Sequence, residues 1–237
     1  MQRRAAAQFC SLPPLLHRLA RAASNLSFAT LDPHGLSAAS PARIFNLANG
    51  DWIDTHDSTE IIDPLNGESF LKVANADHTH EISPFVRSLN SCTKSGLHNP
   101  LKNVESKLEH LVKRYLLYGD VSAKAANMLK QPEVENFFAR LIQRVSPKSL
   151  SQAMGEVTVT QKFLENFSGD QVRFLCKSFA VPGNHLGQQS QGYRWPYGPV
   201  AIITPFNFPL EIPILQLLGA LYMGNKPVLK VDSKKQT

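Results

Sequence analysis

Apolar and polar positions alternate in three successive styles along the chain. From Ile44 to about Ala74 the apolar residues come in short runs broken by turn residues. IFNLANGDWID sets Asn49-Gly50 between two apolar runs, the strongest short signal for a hairpin. EIIDPLNGESFLKV repeats the arrangement around Asp63-Pro64 and Asn66-Gly67. From Asp77 the spacing becomes helical. A first helix is expected from the Thr79/Glu81 region to about Cys92, a loop over 96–103, and a long helix from Glu105 to about Lys130 carrying Leu108, Leu111, Val112, Leu116 and Met128. Pro132 opens another, in which Val134, Phe137, Phe138, Leu141, Ile142 and Val145 keep the 3.6 period until Pro147. The pattern continues helical from Ser149 to about Phe179, with Phe163, Leu164, Phe167, Val172, Leu175 and Phe179 on one side. Gly155, Val157, Val159 and Gly169 weaken it. These stripes are core faces and need no cofactor to explain them.

After Val181-Pro182-Gly183 comes a Gln-rich extended piece, about 185–195, and then a turn at Pro196-Tyr197-Gly198-Pro199. The third style begins there. Pro199 to Thr204 is a short β-branched run, as a buried strand should be. TPFNFP follows; Pro205 and Pro209 fix their own φ and keep the preceding residues out of helix, so the turn presenting Asn207 is stiff. From Glu211, with Pro213 tolerable in the first turn, Ile212, Leu215, Leu218 and Tyr222 keep helical spacing on a helix apolar nearly all round, hence expected to be buried. Gly224-Asn225 and Pro227 stop it, and Val228 to Val231 makes a second buried strand. Strand, crossover helix and strand form a βαβ unit with parallel strands. The order is hairpins, a helical run, then the start of an α/β sheet.

Composition changes the picture little: 43% hydrophobic and 19% charged residues describe an ordinary globular chain. Its most apolar run, Ile212 to Met223, is shorter than a membrane span and is interrupted by Pro213, Gln216 and Gly219. The formal charge of +6 would suggest nucleic acid or an anionic membrane. Its distribution argues against both. Residues 1–31 hold Arg3, Arg4, Arg18 and Arg21 and no acid, which leaves 21 basic against 19 acidic residues in the rest. That basic, Ala/Ser-rich stretch has the composition of an organelle transit peptide, mitochondrial by its Arg content, chloroplast as second choice, with a disordered basic arm as the plainer alternative. A Pro/Ser/Gly linker is expected over 32–43. Cys10, Cys92 and Cys176 lie far apart without metal or CxxC spacing, which points to no disulfide framework and a reducing compartment.

Ligands of open α/β sheets sit beyond the carboxyl ends of the strands. Asn207 follows the first strand of the unit and Lys230 ends the second, so an amide and a cation 23 positions apart reach one rim. Asn207 can donate to a ligand or cap the next helix. Lys230 can clamp a ligand or face solvent.

GPVAIITPFNFPLEIP followed by GNKPVLK resembles the aldehyde dehydrogenase superfamily. DPLNGESFLKV, GLHNP, RYLLYGDVSAKAA, FFARLIQRVSPKS, FLENFSGDQVRFL, PGNHLGQQSQGYRWPYGPV and MGNKPVLKVDSK are similar, more closely, to its plant-type mitochondrial delta-1-pyrroline-5-carboxylate dehydrogenase branch, over residues 44–234. The resemblance implies an α/β fold: the N-terminal part of the aldehyde dehydrogenase fold, with residues 44–237 an incomplete NAD-binding domain. It implies that Asn207 donates a hydrogen bond to the oxyanion of a thiohemiacetal. A donor aimed in advance at developing charge lowers the barrier to reaching it. It further implies that Lys230 binds the adenosine ribose hydroxyls of NAD, that Ile203, Thr204, Pro205 and Phe206 line the cofactor groove, and that Ser233 is a weaker, hydroxyl-only ribose partner.

Two departures from the family pattern stand out. Ser106 to Lys113 reads as an insertion. The chain also stops at KVDSKKQT, where family members run to about twice this length; the glycine turn, the general-base glutamate and the nucleophilic cysteine are not in this sequence. Cys92 and Cys176 lack the Gly-rich context that activates a thiol. The parent enzyme is expected to oxidise glutamate γ-semialdehyde to glutamate with NAD in proline catabolism in the mitochondrial matrix. The 237-residue chain alone is expected to be inactive. The alternative is a non-catalytic product or fragment that acts, if at all, by binding full-length subunits.

Overall fold

The computed structural model describes residues 26–29, 31–92, 108–169, 171–194 and 196–232. The expected loop at 96–103, Cys10, Ser233, and the transit segment as far as residue 25 lie outside the described residues, as do residues 106 and 107 of the expected insertion.

The N-terminal part is β structure. β1 (Ala42–Ile44), β4 (Ser58–Ile62) and β5 (Ser69–Ala74) form a sheet in the order β1-β5-β4, with β1 parallel and β4 antiparallel to β5. β2 (Asn46–Ala48) and β3 (Asp51–Ile53) are the expected hairpin. Asn49 and Gly50 both take positive φ, 55° and 90°, as a tight hairpin turn of matching twist requires.

Helices follow. α1 (Thr79–Asn90) begins at a capping box between His78 and Glu81. α2 (Leu108–Leu129), α3 (Pro132–Val145) and α4 (Leu150–Glu165) pack around a core that includes Ala126, Val134, Ala139, Ile142, Ala153 and Val157. Pro132 sits at the start of α3, where its missing N–H costs nothing. Ser149 opens α4 by accepting from the Gln152 amide at 3.2 Å, while Gln152 accepts from the Ser149 amide at 3.0 Å.

Leu26 and Phe28, inside the stretch with transit-peptide composition, pack on this layer; Phe28 stacks on Phe138 with centroids 5.9 Å apart. Leu36, in the stretch read as a linker, is buried with Phe70 and Leu71.

The helix expected from Ser149 to Phe179 does not run through. It ends at Glu165, turns at Gly169 (φ 57°), and resumes only as α5 (Gln171–Cys176). Lys177–Pro182 is a strand, β6, pairing antiparallel with β7 (Gln189–Tyr193). Gly169 is the physical break, and the β-branched and aromatic content of KSFAVP suits a strand better than a helix. β6 is exposed along its whole length.

β8 (Pro199–Ile203), α6 (Glu211–Tyr222) and β9 (Lys226–Lys230) form the expected βαβ unit. β8 and β9 are parallel, in register from Pro199 opposite Lys226 to Ile203 opposite Lys230. Three burial expectations need correction. β8 alternates between exposed and half-buried, β9 is half-buried with Lys230 and the following Val231 exposed, and most of α6 is half-buried. Among the described residues β9 is the only strand beside β8, so one pair carries what a full sheet would cover. Among the described residues no helix is long and apolar enough to cross a membrane.

Candidate functional site

The site is built at the carboxyl ends of β8 and β9. The Thr204 amide donates to the Lys230 carbonyl at 3.2 Å, extending the parallel pairing one residue past β8. At the other end of the unit, the Asn225 side-chain oxygen accepts from the Gly198 amide at 3.2 Å, and the Lys226 amide donates to the Gly198 carbonyl at 2.7 Å. Both ends of the strand pair are therefore pinned, and the rim they present is fixed relative to α6. Tyr222, fully buried near the end of α6, donates its hydroxyl to the Gly169 carbonyl at 3.1 Å and ties α6 to the turn after α4.

Thr204 is buried; Ile203, Pro205, Phe206 and Asn207 are exposed, and so is Lys230. The structure thus brings Ile203 through Asn207 and Lys230 to one rim, with Ile203 directly across from Lys230 in the parallel register. Ser233 is outside the described residues. Asn207 does not cap the following helix. The N-cap position of α6 is Leu210, which offers no capping group.

That helix start is capped from elsewhere. The Glu156 carboxylate, on α4, accepts from the Leu210 amide at 2.9 Å and the Glu211 amide at 3.1 Å through one oxygen. Its other oxygen meets the Lys148 ammonium at 2.6 Å. A carboxylate is the group that a helix N-terminus favours, because the first-turn amides lack partners and the helix dipole is positive there. The Glu156 side chain is 1% exposed, so these bonds form away from water. Lys148 also lies over the Phe208 ring, 4.0 Å from its centroid. Glu211 is pushed above its ordinary carboxyl value, first by burial and then by the neighbouring Glu156 charge, with Lys148 pulling the other way.

Sequence reasoning missed Glu156 and Lys148. One signal was present: Glu156 falls among Ala153, Val157 and Thr160, which are all buried, so an acid stands on the apolar stripe of α4.

Chemically the rim offers an exposed amide on a braced turn, an exposed ammonium, and an apolar side chain between the two strands' ends. It offers no thiol. Cys92 lies beside Gly198, where a methyl group in place of the glycine hydrogen would stand 3.9 Å from its sulfur. That is the amino end of β8, about 16 Å of strand away from the turn at five residues of ~3.3 Å each. Among the described residues no group of three His, Cys, Asp or Glu side chains is arranged to hold a metal ion.

Residues 119–237 match the model of the aldehyde dehydrogenase family. A probable aldehyde dehydrogenase of Linum usitatissimum is 64% identical over 92% of this chain and 38% of its own length. The mitochondrial delta-1-pyrroline-5-carboxylate dehydrogenase 12A1 of Arabidopsis thaliana is 63% identical over 91% of this chain and 37% of its own. An NAD-dependent benzaldehyde dehydrogenase of Corynebacterium glutamicum superposes with a TM-score of 0.62, at 18% identity, over 88% of this chain and 39% of that one. The chain spans a little over a third of the length of the curated relatives it matches.

Proposed function

The chain belongs to the aldehyde dehydrogenase family, and on that premise we propose that it supplies the oxyanion side and the adenosine side of an NAD-dependent dehydrogenase site. The reaction is oxidation of glutamate γ-semialdehyde, the open form of pyrroline-5-carboxylate, to glutamate in the mitochondrial matrix, as a step of proline catabolism. The aldehyde carbon loses a hydride and gains its second oxygen from water; NAD⁺, when bound, accepts the hydride. The substrate, the NAD requirement and the compartment are carried over from the resemblance, with the 63% identity to the Arabidopsis dehydrogenase in support.

The observation that carries the site assignment is Asn207. It is exposed on a turn braced by Pro205 and Pro209, and the helix it precedes is already capped by Glu156. Its amide is therefore left to donate to a ligand. An oxyanion forming on the attacked carbonyl is the acceptor that such a donor stabilises most, because the donor needs no reorganisation as charge develops. Lys230 and Ser233 are assigned to the ribose hydroxyls, and Ile203, Thr204, Pro205 and Phe206 to the groove wall. The fit is chemical: an ammonium suits a diol, and Ile203, 78% exposed beside Lys230, offers an apolar face to a base.

A second reading is favoured by the β6–β7 hairpin. β6 is exposed throughout and carries Phe179 and Val181, with Leu186 exposed at the tip. Such an edge suits association with another subunit, so the chain would act by binding full-length enzyme. Co-purification of the tagged chain with full-length enzyme supports this reading, and clean separation of the two refutes it.

The catalytic reading is tested in the Arabidopsis relative carrying residues 119–237 of this chain in place of its own. Asn207→Ala is expected to lower kcat by about 10²–10³-fold, with NAD binding retained by calorimetry. An unchanged kcat would sink the assignment. The 237-residue chain alone is expected to form no NADH; NADH formation abolished by Asn207→Ala would overturn that.

A further inference from the structure

We infer that Glu156 and Lys148 are positioning residues for Asn207, gripping its turn from α4 and the link before it, about 50–60 residues earlier in the chain. The inference rests on the reading of Asn207 as the oxyanion donor.

A donor aimed at an oxyanion has to be held to within about 0.5 Å. Two prolines restrict φ but leave a six-residue turn free to swing as a body. Its upstream end is fixed by the Thr204 amide on the Lys230 carbonyl. Its downstream end is fixed by the buried ion pair. Glu156 takes the amides of Leu210 and Glu211, and Lys148, bound to the same carboxylate, covers the ring of Phe208. Residues 208, 210 and 211 are thus held by one charged unit, and Asn207 is next to the first of them. Lys148 is itself fixed, because its side chain is only 16% exposed and its carbonyl accepts from the Gln143 side chain at 3.1 Å.

A buried ion pair commonly adds little net stability over apolar residues of the same volume, since desolvation of both charges offsets their attraction. Geometry is the better account of this one. Apolar replacements could fill the space, but none would accept two amides and hold the Phe208 ring at the same time.

The first test uses the 237-residue chain and amide hydrogen exchange at Leu210 and Glu211. Glu156→Gln keeps one acceptor oxygen but loses the charge, and should speed exchange there at least tenfold while the α3 and α4 amides stay protected. Lys148→Met should act the same way more weakly, and Lys148→Arg, which can still pair and stack, should restore protection. Unchanged exchange in both Glu156→Gln and Lys148→Met overturns the inference. If Glu156→Gln opens the whole chain, the Lys148 pair decides.

The second test uses the same chimeric dehydrogenase as above. Glu156→Gln should lower kcat about tenfold with KM for NAD⁺ unchanged, and should cause no further loss in an Asn207→Ala background. Multiplying losses mean a merely structural role and overturn the inference while leaving the Asn207 reading intact. A silent Asn207→Ala instead removes the oxyanion reading, and the exchange data alone then judge the clamp.

Discussion

Removing the Asp63 carboxylate should separate the N-terminal sheet from the helices. Asp63 sits at the start of the β4–β5 turn with its side chain 2% exposed. One oxygen accepts from the Leu65 amide at 2.9 Å; the other meets Arg144, on α3, at 2.8 Å. Arg144 also donates to the Leu36 carbonyl at 2.7 Å and lies 5.0 Å from the centroid of the Phe70 ring. One guanidinium therefore joins three segments: the stretch before β1, the β4–β5 hairpin and α3. Breaking a buried pair by removing one partner costs about 3–5 kcal/mol. Arg144 keeps 21% of its side chain in solvent and retains the Leu36 carbonyl, which places the cost near the low end, about 3 kcal/mol. Asp63→Ala also deprives the Leu65 amide of its acceptor, about 1 kcal/mol more. The expected total, about 4 kcal/mol, is a large share of a typical 5–15 kcal/mol domain stability. Asp63→Asn, which can keep the turn bond, should cost about 3. Urea unfolding of Asp63→Ala, Arg144→Met and the double variant measures the coupling directly, and we expect at least 2 kcal/mol between the two sites. A loss under 1 kcal/mol for Asp63→Ala, or a coupling under 0.5 kcal/mol, would refute the reasoning and make the pair incidental to the joint.

Glu211→Gln should raise the melting temperature at pH 7. Because the folded carboxyl is raised above its ordinary 4.5, the native chain holds that proton more tightly than the unfolded chain does. Ionisation therefore costs stability as pH rises from 4.5 through the folded value, and the gain from Gln should vanish below pH 4.5. Melts across pH 4–8 check this; a variant less stable than wild type at pH 7 would mean that the helix dipole outweighs Glu156. Gly224→Ala should lower stability by about 1 kcal/mol in urea unfolding, with Gly224→Asn less affected, because this residue ends α6 at φ 91° and starts the approach to β9. Equal stability of all three would show that the strain is relieved by a shift of the helix end.

Elements written in local chemistry were legible from the chain. Asn49-Gly50 specifies a turn of positive φ, and Pro132 and Ser149 specify helix starts, because each acts within a few residues of itself. The βαβ unit was legible for the same reason: prolines and Gly224-Asn225 punctuate it. The stretch 149–179 failed because apolar spacing alone cannot separate a helix from a helix followed by a strand; Phe179 fits either period, and only Gly169 marks the change. Burial of β8 failed because an apolar run states what a strand would accept as neighbours, while the neighbours themselves are set by the sheet.

Glu156 shows where such reading runs out for the candidate site. Its place beside Ala153, Val157 and Thr160 announces a buried acid, and a buried acid must have partners. Yet two of its three partners are the main-chain amides of Leu210 and Glu211, and an amide has no signature in the sequence, since every residue but proline has one. The third, Lys148, lies in the link before the Ser149 cap, outside the helical register of α4, so no i, i+4 rule links it to Glu156. Asn207 could be picked out because the prolines beside it are written in the chain. What aims it could not, because the aim comes from backbone groups of one element meeting a side chain of another.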